Sequence, residues 1–144
     1  MPSNYETFFF GQSFAVVGNS AERPFPVLTY RGLKRQGKTV FAVDPKAQEI
    51  DGDPAYADLT ALPNPVEAAV LELPREQTRE WIEKVAAAGI RDVWLHTNTD
   101  TLEALEAARQ ADLNVRYGTC AVQYVDGSFP HNVHKLVRRL LRRY

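Results

Sequence analysis

Two short segments of this chain carry groups suited to a phosphorylated ligand. The first is Gly18-Asn19-Ser20, with Arg23 close behind, at the end of the apolar run Phe14-Ala15-Val16-Val17. A strand that stops in a small polar turn and leads into a helix gathers free backbone N–H groups and a positive helix end at one point, the physical basis of phosphate binding in α/β folds. The second is Asp44-Pro45-Lys46, closing the run Val40-Phe41-Ala42-Val43. A lysine on a proline-stiffened turn offers a cation to a phosphate such as the 3′-phosphate of CoA or the 2′-phosphate of NADP. Asp44 suggests a different chemistry, because an acidic residue ending the second strand is what holds the ribose hydroxyls in dinucleotide enzymes. Against that, Gly18 stands without the other two glycines of a GxGxxG fingerprint. A plain tight turn, with Asn19 or Ser20 capping the next helix, also accounts for the first segment.

Other reactive side chains assemble into less. The single cysteine, Cys120, has His131 and His134 nearby in sequence, but no spacing forces either onto the sulfur, and a buried structural thiol is the better reading. The same three residues make a poor zinc site, since a fourth ligand is missing. Paired carboxylates, a serine elbow and a Ser/His/Asp set are all absent from the reading, so binding is expected rather than catalysis.

The elements that would position these groups follow a βαβα alternation. Strands are expected at 14–17, 39–43, within 66–73, at 92–95 and at 114–117. Pro24 or Pro26 starts a helix that Gly37 ends, Pro74 opens another that Gly89 stops, and 101–112 forms a third. Residues 47–65, rich in glycine and proline, read as a surface excursion with one extended piece near Ala55 and Tyr56. Runs apolar on both faces, separated by helical crossovers, imply a doubly wound parallel sheet of about five strands, a Rossmann-like α/β fold in a single domain covering 1–144. Segment 1–12, with Phe8-Phe9-Phe10, is expected to pack as a helix or lid. Segment 128–144 reads as a basic amphipathic helix.

In such a sheet the strand-end loops converge on one edge. Gly18 to Ser20, Asp44 to Lys46, Leu73-Pro74, His96-Thr97-Asn98 and Gly118 to Cys120 should meet there. This ordered set, with Arg23-Pro24, Val43-Asp44-Pro45-Lys46, Ile50-Asp51-Gly52, Tyr56, Val70-Leu71-Glu72-Leu73-Pro74 and Val93-Trp94-Leu95, resembles the small CoA-binding domain proteins, relatives of the amino-terminal domain of the succinyl-CoA synthetase alpha subunit, over about 12–126. The resemblance implies CoA or an acyl-CoA as ligand. By matching position it assigns the pyrophosphate cradle to Val17, Gly18, Asn19, Ser20 and Arg23, and the adenosine-side phosphate to Pro45 and Lys46. Leu73 and Pro74, with Leu95, His96 and Thr97, would border the ligand. Asp44 departs from the family's usual asparagine and sets a carboxylate near Lys46, and His96-Thr97-Asn98-Thr99-Asp100 replaces the family's frequent Gly-Ile-Arg.

Bulk properties are compatible. The 144 residues are 44% hydrophobic and 24% charged, with a net charge of −1, and the pI is near 6.3. Such a balance argues for neither nucleic acid nor membrane as partner, and one cysteine with no signal sequence fits a cytoplasmic setting. A small nucleotide-type ligand is the expected partner, with a homodimer or a partner enzyme subunit as further possibilities. Two other functions stay open: an NAD(P)-binding regulator or small oxidoreductase, and an interaction protein with a vestigial pocket.

Overall fold

The computed structural model describes residues 4–118 together with Ala121 and Tyr124. Cys120, His131, His134 and the basic segment 128–144 lie outside the described residues. Along the chain run α1 (Asn4–Phe8), β1 (Ser13–Val17), α2 (Val27–Arg35), β2 (Thr39–Val43), β3 (Glu49–Ile50), β4 (Asp53–Tyr56), β5 (Ala68–Leu71), α3 (Thr78–Ala87), β6 (Asp92–Leu95), α4 (Leu102–Gln110) and β7 (Asn114–Arg116). The sheet order is β3-β4-β2-β1-β5-β6-β7. All pairings are parallel except β3 with β4. From β1 the chain winds outward to β2 and β4, and from β5 outward in the other direction to β6 and β7. The order therefore reverses between β1 and β5, which makes the carboxyl ends of those two strands the switch point of a Rossmann-like fold.

Both faces of the sheet are covered, and the two-residue period of each strand decides what covers them. In β1, Phe14 and Val16 join Tyr30 and Leu33 of α2 and Phe8 of α1, with Trp94 from β6. Their alternates Ala15 and Val17 join Trp81, Ile82 and Val85 of α3 and Ala104 and Ala108 of α4. The amino-terminal segment is thus part of the core: Phe8 and Phe9 pack 5.3 and 5.0 Å from the Trp94 ring, while Phe10 is turned to solvent. Three adjacent aromatics cannot share one face, and the third is the one left out.

Three helices stop in the same way. In α2, Gly37 N–H bonds to Lys34 C=O and Lys38 N–H to Leu33 C=O, with Gly37 left-handed at φ 79°. This is a Schellman end. Gly89 repeats it after α3, and Asp112, at φ 59°, repeats it after α4 without glycine's freedom.

The excursion at 47–65 departs from expectation. Asp51 and Gly52 both have positive φ, at 54° and 83°, and close a two-residue hairpin in which Ile50 pairs with Asp53. Aspartate and glycine tolerate the left-handed conformations such a turn needs. The hairpin then adds to the sheet because β4 pairs with β2 at Ala42 and Val43. Among the described residues the sheet consequently has seven strands where about five were expected. Tyr30 Oη donates to Asp53 at 2.6 Å and Arg31 donates to Asp51 at 2.8 and 3.0 Å, tying the hairpin to α2.

Candidate functional site

At the switch point the β1 loop runs over residues 18–26 before α2 begins, longer than a tight strand-to-helix turn. Pro26 is the N-cap of α2 and makes no side-chain cap, so neither Asn19 nor Ser20 caps this helix. Asn19 organises the loop instead. Its carbonyl accepts from Glu22 and Arg23 N–H at 3.0 and 3.1 Å, its Oδ1 accepts from Ala21 N–H, and its Nδ2 donates to Gln77 Oε1 at 3.0 Å. Gly18 is buried, and its N–H bonds to Val43 C=O. A Cβ there would lie 2.7 Å from Pro26 Cδ and 2.9 Å from Phe25 Cδ2. The loop's own prolyl and phenyl packing therefore already demands glycine at this position.

Asp44 is the brace between the two phosphate-suited segments. It is fully buried; Oδ2 accepts Ser20 N–H at 2.9 Å and Oδ1 accepts Lys46 N–H at 2.8 Å. A buried carboxylate is tolerated when backbone donors satisfy both oxygens. Both acceptors are thus committed to protein, and the carboxylate is directed at backbone amides. Pro45, Lys46 and Ser20 are exposed on the same sheet edge, and among the described residues the Lys46 ammonium has no ion-pair partner.

The remaining anticipated positions divide by side chain and backbone. Val17, Leu73 and Leu95 are fully buried in the core against α3 and α4, which leaves only their backbone to border a ligand. Pro74 is half-buried and precedes a short 3-10 helix at Arg75–Gln77. His96 and Thr97 sit half-buried at the end of β6, in a turn where Thr99 Oγ1 donates to His96 C=O and Thr78 Oγ1 donates to Thr99 C=O, both at 2.7 Å. The Thr78 bond fastens the β6 loop to α3, and the Thr99 bond closes the loop on itself. Arg23 is half-buried in the β1 loop.

One residue here was not singled out as chemistry-bearing. Glu72 directly follows β5 at the switch point, its N–H bonded to Val17 C=O, and it is 5% exposed. Thr29 Oγ1 of α2 donates to Glu72 Oε1 at 2.6 Å. Oε2 faces His96 Nδ1 at 3.8 Å, and that nitrogen is buried with no hydrogen-bond partner. Burial pushes the Glu72 carboxyl up to about 7, with the Thr29 bond and the Arg23 charge opposing. Burial, then the same Arg23 charge, pushes His96 below the ordinary imidazole value. Near neutral pH the two are therefore not a simple ion pair, in spite of their proximity. In sequence Glu72 showed only as a single carboxyl closing the apolar run Val70-Leu71, whereas Arg23 and His96 were already among the candidate positions.

Comparison with known proteins sets this geometry in a family. Prb, the PH1109 protein redesigned for binding, superposes with a TM-score of 0.74 at 21% identity, covering 83% of this chain and 85% of that one. A hypothetical protein from Pyrococcus horikoshii OT3 gives 0.71 at 24%, covering 83% and 84%. The dinucleotide-forming acetyl-coenzyme A synthetase 1 of Ca. Korarchaeum cryptofilum, in its apo form, gives 0.63 at 22%, covering 78% of this chain but 27% of that longer one. These likenesses show the fold. No curated protein matches significantly. Residues 12–125, which hold the sheet, both braced loops and the Glu72–His96 cluster, match the CoA binding domain, and the chain belongs to that family.

Proposed function

We propose that this chain binds CoA or an acyl-CoA at the carboxyl edge of its sheet and presents it to a partner enzyme. The observation that carries the reading is the Asp44 brace: one buried carboxylate holds Ser20 N–H and Lys46 N–H together, so the β1 loop and the lysine turn are preorganised as one anion-binding edge. In this reading the β1 loop, with Asn19, Ser20 and Arg23, takes the diphosphate, and Lys46 takes the extra phosphate on the adenosine half. The backbone of Leu73 and Leu95, with Pro74, His96 and Thr97, borders the rest of the ligand. Family membership supports the ligand class, and the acetyl-coenzyme A synthetase likeness offers an example of the fold inside a longer protein with CoA chemistry. Asp44 speaks against the NAD alternative, because the side chain is fully buried and each oxygen already accepts a backbone amide of this edge, which leaves no exposed carboxylate oxygen for a ribose.

Calorimetric titration with CoA, dephospho-CoA and NADH tests this. CoA should bind, and Lys46→Ala should weaken CoA more than dephospho-CoA, since a charge-assisted contact is worth about 1.5 to 3 kcal/mol. Equal losses for both ligands would remove the phosphate from Lys46; NADH binding with no CoA binding would replace the ligand.

A further inference from the structure

Glu72 and His96 come from neighbouring strands, β5 and β6, and meet beside the β1 loop. Each element packed around the carboxyl contributes a definable group. From α2 comes the Thr29 hydroxyl, which donates to Oε1 at 2.6 Å; from the end of β6 comes His96 Nδ1, 3.8 Å from Oε2. The β1 loop contributes Arg23, whose charge acts on both groups. The end of β1 itself, Val17 and Gly18, brings no charge. Among the described residues no lysine or arginine lies within ion-pair distance of Glu72.

Glu72 Oε2 and His96 Nδ1 lie 3.8 Å apart, too far for a hydrogen bond, and Nδ1 is buried and unpartnered. The Thr29 hydroxyl is the one hydrogen-bond donor to the carboxyl oxygens among the described residues. When ionised, Glu72 therefore places a poorly compensated buried negative charge beside the loop proposed to receive phosphate, its own N–H bonded to Val17 C=O where that loop begins, and a bound phosphate favours the protonated form of the pair. We infer that the Glu72–His96 pair takes up one proton when a phosphate-bearing ligand settles on the β1 loop, so that the site binds CoA in its protonated form and releases it as pH rises. The elevated affinity of the buried Glu72 for its proton puts this transition close to neutrality. The inference rests on the CoA-binding reading and adds its regulation.

The test is calorimetry of CoA binding to the full chain from pH 6 to 8.5, in buffers of different ionisation enthalpy, for the native protein and Glu72→Gln. Because the phosphates of CoA titrate as well, the readout is the difference between the two proteins. Relative to the variant, native affinity should fall about tenfold per pH unit above the transition, with proton uptake approaching one per ligand. Identical proton counts and parallel pH profiles would overturn the inference and leave CoA binding standing. No heat with CoA from either protein at any pH would overturn the CoA reading and this inference with it. If Glu72→Gln does not fold, NMR titration of the His96 ring in the native protein decides: its apparent pKa must rise on adding CoA, and an unmoved value overturns the coupling.

Discussion

Glu72→Gln should make the protein more stable at alkaline pH and leave it nearly unchanged near pH 5. In the unfolded chain this carboxyl titrates near its ordinary value of 4.5, whereas burial raises it to about 7 in the fold. Below pH 4.5 both states are protonated and the burial has no electrostatic cost. Between 4.5 and 7 the unfolded chain gives up the proton and the fold keeps it, so stability declines as pH rises; above 7 the loss is complete. At about 1.4 kcal/mol per pK step, the full loss is roughly 3 kcal/mol. Glutamine does not titrate. Its carbonyl can still accept from Thr29, and its amide can donate toward His96 Nδ1, so the geometry is retained while the buried charge is removed. His96 opposes this trend in both proteins. Its depressed pKa contributes stability above the ordinary imidazole value that is lost as pH falls, and this part largely cancels in the difference. Urea unfolding at pH 5, 6, 7 and 8, followed by the fluorescence of the buried Trp81 and Trp94, should show the variant curve pulling away from native between pH 5 and 7 and the gap levelling off above 7. A stability difference that is the same at pH 5 and pH 8 would refute the reasoning, because it would mean that Glu72 does not carry its charge into a desolvated site.

Removing the brace should act on both structure and ligand. Asp44→Ala abandons two partly buried backbone N–H groups, and we expect a loss of about 2 kcal/mol in the same unfolding assay together with at least tenfold weaker CoA binding. Gly18→Ala should destabilise by about 1 to 3 kcal/mol, since its Cβ meets Pro26 and Phe25 below normal contact distance; an unchanged midpoint would show that the loop repacks freely. Asp112→Gly is predicted to stabilise by about 0.5 to 1 kcal/mol by relieving the left-handed backbone at the end of α4. The Arg91 contact that this change gives up is fully on the surface and worth little.

Much of this protein was legible from local pattern. Strands β1, β2 and β6 fall where their apolar runs stand, because a sequence buried on both faces of a parallel sheet must be apolar at successive positions. Gly37 and Gly89 end helices as read, since the left-handed residue of a Schellman end is a local requirement. The hairpin at Asp51-Gly52 was missed although its turn pair was visible. Its strands are short and carry Pro54, and only pairing of Ala55 and Tyr56 with β2 makes them part of the sheet. The family was recognisable because its signature is a series of strand-end loops, each encoded within a few residues.

Tertiary structure decided what the site residues do. From its position Asp44 could equally have been a ribose ligand; its burial between two backbone amides makes it a brace, and those amides belong to different loops. Gly18 could have been reserved for a ligand, but Phe25 and Pro26 of its own loop already require it. Arg23 and His96 were readable as candidate positions, but Glu72 and Thr29 were not, and the four become one cluster only when two strand ends, a helix and the β1 loop bring them together in a desolvated place. Periodicity and turn chemistry are written residue by residue, so the sequence by itself determined the winding of the chain and the edge on which its strand-end loops meet. Burial and charge pairing depend on which distant segments meet, and only the folded chain could settle those.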